Sequence, residues 1–565
     1  MVPGRLILLW ITISLPCLPA SPEEIKRAAQ RSIHVMQKVN AQWKSPCYSC
    51  HHQLIPSLAL ASAREHGLAV DEKVALTANT RDYKFLYDLD AAVRVENLID
   101  PAVMEGSTLI GAEAVGIKPS LVTATYARHI ARNQAGDGHW WIFDNRPPSS
   151  NSEVTATAIA AKAIAVYLQS PDKAARLQKA RHWLSGTRIT NTEEATFRAL
   201  GLLWAGATQS DIQAAAQQLA RLQQVDGSWR QTLTSAEPDA YSTSEALYAL
   251  RATGLWGAKD QRFLRGVDWL LKNQAPDGTW HVHSLMETGA PVSPPYFDSG
   301  FPYGHDQFVS MAATSWAVRA LAEALPIVEK APLPPTLPAF DESKLGWAQA
   351  ALFGKPEDLA QIDPNSATPS GTTALMMAAD DPAKIEMLLK RGADPKALTK
   401  EGYDALIMAS LYRGNRRSLE LLLDAGIAAT PNRKVRFDAS ALAHATFAND
   451  PSMVQLLLER GADPNHSMRL LGSGAMTMIA IAANFDNTEI IRLLAKGGAQ
   501  LEGVDNDGMS NLAAAALSQR TAAIRTLLDL GANTKHKDKL GRTPYDLTKQ
   551  IHTSPNTAAL LLKGR

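Results

Sequence analysis

Three stretches decide how the first half of this chain folds: Asn133-Gln134-Ala135-Gly136-Asp137-Gly138-His139-Trp140, Gln223-Gln224-Val225-Asp226-Gly227-Ser228-Trp229 and Asn273-Gln274-Ala275-Pro276-Asp277-Gly278-Thr279-Trp280. Each closes a run of helical periodicity. An Asp-Gly step supplies the left-handed turn that stops a helix, and the following tryptophan packs back over the junction. Asp137, Asp226 and Asp277 are therefore read as turn formers rather than acids.

Working outward, apolar residues between positions 22 and 325 recur at helical spacing, in segments ended by glycine, proline or short polar clusters. The pattern predicts paired helices. The first of each pair spans roughly 22–43, 70–98, 119–134, 171–185, 209–224 and 260–273, and the second roughly 48–66, 102–116, 152–168, 191–206, 241–254 and 306–325. The second set is the more apolar, as in Ala156 to Val166, where alanine occupies every face. Helices apolar all round are buried. Hairpins with a polar outer and an apolar inner helix hide the inner one by stacking, and closing the row into a ring removes both exposed ends.

The repeated phrase resembles the glutamine-tryptophan repeat of the terpenoid cyclase and protein prenyltransferase superfamily. That resemblance covers about residues 21–325 and implies an all-α (α/α)6 toroid. It names no reaction. The superfamily's cyclisation chemistry needs an Asp-x-Asp-Asp acid, and the nearest text, Asp88-Leu89-Asp90-Ala91, lacks the last carboxylate and sits on an outer helix, where it reads as a solvated face. The prenyltransferase zinc site draws an aspartate, a cysteine and a histidine from inner helices, and no spare cysteine remains. Glu153, Glu193, Glu194 and Glu245 stand in the first turns of inner helices. There the helix dipole favours a carboxylate, which makes a cap the default and a cation or polar ligand the alternative.

Residues 326–342 contain Pro326, Pro332, Pro334, Pro335 and Pro338, which exclude a continuous helix and predict a stiff linker. Beyond it, in residues 343–565, the period changes. Gly392-Ala393-Asp394, Gly426, Gly461-Ala462-Asp463, Gly498-Ala499-Gln500 and Gly531-Ala532-Asn533 each follow a leucine-rich helix, at intervals close to the ~33 residues of an ankyrin unit. Leu457-Leu458-Glu459-Arg460-Gly461-Ala462-Asp463-Pro464-Asn465 resembles the end of an ankyrin repeat. The usual Thr-Pro-Leu-His opening survives only as Arg542-Thr543-Pro544-Tyr545. The expectation is an ankyrin solenoid with a capping pair near 343–362, presenting a concave face to a protein partner.

With 57 basic against 56 acidic residues, nothing draws the chain to nucleic acid or an anionic membrane. Residues 1–20 have the layout of a secretory signal: Arg5, an apolar Leu6 to Leu15, and Pro16 to Ala20 as the cleavage region. The expected location is secreted or periplasmic, with no transmembrane segment after cleavage near Ala20. Cleavage removes Cys17 and leaves Cys47 and Cys50, three positions apart, as the entire thiol content.

Those two lie in Cys47-Tyr48-Ser49-Cys50-His51, which resembles the attachment site of c-type cytochromes. In that reading Cys47 and Cys50 form thioethers to a haem c and His51 is the proximal iron ligand. The alternatives are a dithiol or disulfide, or a zinc site adding His51 and His52. In a closed ring the helix that follows this motif has neighbours opening near Met104 and His305, so either is a candidate sixth ligand. The leading functional expectation is an exported haem-bearing protein with a redox partner, docked through its ankyrin half. A toroid enzyme acting on a lipid or glycan, and a scaffold without chemistry, are the alternatives.

Overall fold

A serine opens the first helix. Ser21 accepts the backbone N–H of Glu24 while the Glu24 carboxylate accepts the Ser21 N–H (2.8 Å), a reciprocal cap that fixes where the helix starts. The N-terminal half then runs as helical hairpins. They are α1 (Pro22–Gln42) with α2 (Ile55–Glu65), and α3 (Glu72–Tyr83) and α4 (Leu89–Arg94) with α5 (Gly106–Ala114). Next come α6 (Leu121–Arg132) with α7 (Glu153–Tyr167), α8 (Lys173–Gly186) with α9 (Thr192–Trp204), α10 (Gln209–Ala220) with α11 (Ala240–Ala252), and α12 (Gln261–Lys272) with α13 (Gln307–Ala322). This computed structural model describes residues 20–43, 54–95, 101–143, 152–232, 235, 237–287, 290, 297–328, 330–338, 342–429, 435–469, 475–551 and 556–562.

The inner helices contact one another in a closed cycle: α2 with α5, α5 with α7, α7 with α9, α9 with α11, α11 with α13, and α13 with α2. Small residues permit the close approach. A Cβ on Gly201 of α9 would lie 2.8 Å from the Ala158 Cβ of α7, and one on Gly106 would lie 2.7 Å from Ile159. Of α7, all but a few positions between Val154 and Tyr167 are buried, which explains alanine on every face.

The repeated phrase is the clasp between hairpins. Asp137, Asp226 and Asp277 accept the backbone N–H two residues on (3.4, 3.1 and 3.0 Å), as expected of turn formers. The buried indoles of Trp140, Trp229 and Trp280 donate to the carbonyls of Ile130, Leu219 and Leu270. The glutamine amides do something the sequence did not reveal: each donates to the glycine carbonyl of its own phrase and to a carbonyl on another outer helix. Gln134 reaches Arg176 of α8 (3.0 Å), Gln223 reaches Arg262 of α12 (2.9 Å), and Gln274 reaches Ala28 of α1 (2.9 Å). The third phrase thus joins the last hairpin to the first.

Two predicted helices differ from expectation. The outer helix predicted over 70–98 is broken into α3, a 3-10 turn over Lys84–Tyr87, and α4, because the Asp88 carboxylate accepts the Ala91 N–H (3.0 Å) and so caps a fresh helix. The inner helix predicted from 102 begins as a wider π turn over Pro101–Glu105 before α5.

The proline-rich segment is not a free spacer. Val328 donates its N–H to the Glu65 carbonyl (2.7 Å), Asn79 donates to the Leu333 carbonyl (2.8 Å), and Pro332 packs onto Gly116, which has a φ of 89°. The segment is strapped to the outside of the first two hairpins.

The C-terminal half opens with α14 (Gly346–Phe353) and a 3-10 turn over Pro356–Gln361, the expected capping pair. Short and long helices then alternate: α15 (Ala374–Met377) and α16 (Pro382–Lys390), α17 (Ala405–Ser410) and α18 (Arg416–Asp424), α19 (Ala441–Phe447) and α20 (Pro451–Glu459). They are followed by α21 (Met478–Asn484) and α22 (Thr488–Lys496), α23 (Asn511–Leu517) and α24 (Thr521–Asp529), and α25 (Pro544–Leu547) and α26 (Asn556–Leu562). Between α20 and α21, β1 (Ser467–Arg469) pairs antiparallel with β2 (Ala475–Thr477), with Met468 opposite Met476. The chain is therefore mostly helical rather than all-α. One contiguous apolar core runs through both halves, from Ile25 to Leu561.

Candidate functional site

The outer helices end, and the inner helices begin, at one mouth of the helical cycle, and the chemistry-bearing side chains gather there. Inner-helix caps come from Ser152, Asn191 and Asp239, whose side chains accept the N–H groups of Thr155, Glu194 and Ser242. Of the glutamates expected as caps, Glu194 binds the Thr190 N–H and hydroxyl at the start of α9. Glu193 and Glu245 do not cap. Both are buried, Glu193 accepting the Thr155 hydroxyl (2.8 Å) and the Tyr241 hydroxyl (3.4 Å) from the helices on either side.

Glu245 is fully buried, and the neighbouring Tyr241 hydroxyl is the group that favours its ionised form. Burial, followed by the negative charges of Glu193 and Asp239, pushes its pKa well above the ordinary carboxylate range. Burial likewise raises Asp239 to about 6 against the pull of the Ser242 N–H. The wall between α9 and α11 consequently holds a carboxyl group whose burial and acidic neighbours favour its protonated form.

A second cluster lies where α13 begins. The Asp306 Oδ2 receives His281 Nε2 at 2.8 Å and His283 Nδ1 at 3.1 Å, while the Ser284 N–H donates to Oδ1 at 2.9 Å. Burial opposes ionisation of Asp306, but hydrogen bonds from Ser284, His281 and His283 outweigh it and hold its pKa below the usual range. Among the described residues these three form the one group of histidine, cysteine and carboxylate side chains arranged to hold a metal ion. Sequence reasoning singled out the neighbouring His305 and missed His281 and His283. The available signal was the His-x-His step after Trp280, since alternate residues of an extended segment point the same way.

The C-terminal helices lie along this mouth. Arg128 and Arg132, at the end of α6, both bind the buried Asp380 carboxylate, Arg132 at 2.7 Å, and Arg128 also donates to the Met377 carbonyl (2.9 Å). Phe143 packs between Phe447 and Phe485, with ring centres at 4.9 and 5.2 Å. Arg520 donates to the Ile142 carbonyl (3.1 Å), Arg94 pairs with Glu401 (2.9 Å), and the Glu287 N–H reaches the Gln550 carbonyl (2.8 Å). Asp90, expected on a solvated face, instead accepts the hydroxyls of Thr368 (2.6 Å) and Thr372 and is part of this contact. Every residue of α17, α19, α21 and α23 is buried as a result of stacking and of this docking.

His444 of α19 is caught in the same contact, 2% exposed, with neither ring nitrogen hydrogen-bonded. Burial and the nearby His129, itself bound to Glu105 (2.9 Å), lower its pKa to about 3.

Cys47, Cys50 and His51 lie outside the described residues. Met104 lines a small gap with Phe85, Leu86, Leu109 and Tyr126. His305 gives its Nε2–H to the Met286 carbonyl (2.7 Å), which leaves Nδ1 for any ligand. No helix among the described residues is long and apolar enough to cross a membrane.

Residues 375–468 and 441–538 match the family described as Ankyrin repeats (3 copies). The C-terminal half is built of ankyrin repeats. Similar proteins include mouse (Mus musculus) SH3 and multiple ankyrin repeat domains protein 1, 36% identical over 112 residues, which are 20% of this chain and 5% of that protein. Protein PhlB of Serratia liquefaciens is 37% identical over 110 residues, 19% of this chain and 46% of its own length. The chain thus spans about 5% of the length of the first of these relatives. Among solved structures, the human ASB11 ankyrin repeat domain is 22% identical and covers 39% of this chain and 97% of its own, with a TM-score of 0.34. Ankyrin repeats are protein-interaction modules, and one surface they bind here is the helical half of the same chain.

Proposed function

We propose that this is an exported protein in which an α/α toroid of the terpenoid cyclase type carries a haem c and an ankyrin stack docks it to a protein partner. The closed cycle of inner helices supports the toroid assignment, as does the Gln274 link from the last hairpin back to α1. The observation that carries the haem reading is the thiol-thiol-imidazole run ending at His51, only four residues ahead of Ile55 and the inner helix α2. Four residues span at most about 14 Å, so attachment there keeps a cofactor at the mouth. The donor set suits the group: Cys47 and Cys50 would hold the porphyrin through thioethers and His51 would bind the iron. A bound haem would supply one-electron chemistry, consistent with a redox partner. The first helices of the repeats are engaged in cis, so an external partner is expected on the outer helices α16, α18, α20, α22 and α24 or on the repeat loops.

The test is the pyridine haemochrome spectrum of protein exported from a host competent for cytochrome maturation. A thioether-linked haem that disappears in Cys47→Ser/Cys50→Ser is the expected result. A colourless protein with bare polypeptide mass rejects the haem assignment.

One observation favours a second reading, an enzyme acting on a lipid or glycan inside the ring. A buried carboxyl whose pKa is pushed well above the ordinary carboxylate range, as that of Glu245 is, suits a general acid. Turnover of such a substrate that is lost in Glu245→Gln with the fold intact would select this reading.

A further inference from the structure

We propose that His281, His283 and Asp306 form a binding site for a divalent first-row transition ion such as Zn2+, at the start of the last inner helix. It is independent of the haem reading and uses none of its residues. The argument begins with spacing. Two ligand atoms each about 2.0–2.1 Å from one metal ion are about 3 Å apart. The two imidazole nitrogens approach the Asp306 oxygen at 2.8 and 3.1 Å, and all three ligand atoms lie within 4.8 Å of one another. Small side-chain rotations bring them onto one ion.

The site is held from behind. Asp306 ends a 3-10 turn, Gly304–Asp306, and its second oxygen is taken by the Ser284 N–H, which leaves Oδ2 for the ligand. The His281 ring stacks on Tyr303 at 4.5 Å and 8°, and the Tyr303 hydroxyl is tied to Thr279 (2.6 Å). Tyr303 itself sits in the left-handed region (φ 82°), a backbone conformation rarely adopted by a bulky residue unless the surroundings impose it. The extended segment bearing both histidines is fixed to α13 by the Val282 N–H on the Ser310 hydroxyl (3.0 Å). Supporting contacts of this kind orient metal ligands.

Ligand type selects the ion. Two imidazoles with one carboxylate suit zinc and its neighbours rather than magnesium or calcium, which require mostly oxygen donors. Three protein ligands leave further coordination positions. His283 is largely exposed and Asp306 largely covered, so those positions face solvent. The bound ion would brace the segment that pairs Met286 with Ile551 at the end of the ankyrin stack.

The test uses the full exported chain without a polyhistidine tag, dialysed against Zn2+ and, separately, Co2+. Expected are one ion per chain and a Co2+ visible spectrum without thiolate charge-transfer bands. His283→Ala and Asp306→Asn should each weaken Zn2+ binding about tenfold or more, while His305→Ala, which removes a ring turned to the Met286 carbonyl, leaves it unchanged. Far-UV circular dichroism checks that the variants remain folded, which partial exposure of the ligands favours. Binding that persists in His281→Ala/His283→Ala, thiolate bands that place the ion on Cys47 and Cys50, or the absence of a stoichiometric ion in the wild type would each overturn the assignment.

Discussion

Replacing Gly278 by alanine tests the seam of the helical cycle. Gly278 has a φ of 92°, and an added Cβ would lie 2.5 Å from the Arg31 Cβ and 2.7 Å from the Arg31 carbonyl carbon on α1. Two effects add. The left-handed conformation costs a non-glycine residue roughly 1–2 kcal/mol. Forcing a methyl group against the backbone of a packed helix costs roughly 1–3 kcal/mol more. The expected loss is therefore about 2–5 kcal/mol, concentrated where the last hairpin meets the first. Gly254 is the control, because it also has a positive φ (72°) but nothing within 4 Å of its added Cβ. Gly254→Ala should lose only the conformational part. Urea unfolding followed by circular dichroism compares the two variants, and hydrogen exchange at the Trp280 amide localises the effect. Equal losses in both variants would refute the claim that this glycine serves the close approach of α1.

Other outcomes follow from buried charge. Asp380→Asn leaves Arg128 buried without its carboxylate and should destabilise the docked protein by about 3–5 kcal/mol, separating its urea transition into two as the halves uncouple; a single unshifted transition would contradict this. His444 has a folded pKa of about 3 against 6.5 unfolded, so the unfolded chain takes up its proton first. Stability should fall by about 1.4 kcal/mol per unit as pH drops below 6.5, and His444→Leu should remove that slope. Glu245 has the opposite sign: its folded pKa lies above the unfolded 4.5, so the stability it contributes is full below that pH and is lost as pH rises. Glu245→Gln should accordingly raise the melting temperature at pH 8 relative to wild type, and a decrease would show that the carboxylate is ionised and paired.

The helices were legible because burial follows a local period. Ser21, Asp71, Ser120 and Asn191 cap where the pattern starts, and the Asp-Gly-x-Trp turns stop it where expected. The break at Asp88 was missed because an aspartate inside an amphipathic run reads as a surface residue until its carboxylate is seen on the Ala91 N–H. Glu193 and Glu245 were misjudged for a related reason. Position in a first turn suggests a cap, but the capping role was already filled by Asn191 and Asp239, and the glutamates turned inward.

By itself the sequence determined which segments are helices, which of them are apolar all round and where the ankyrin period begins. Each of these depends on neighbours along the chain. Only the tertiary structure decided that Gln274 closes onto α1, that Asp380 receives two arginines from α6, and that His281 and His283 meet Asp306 more than twenty residues away. An apolar or charged face carries the same local pattern whatever eventually covers it, so the identity of the covering surface is settled by packing.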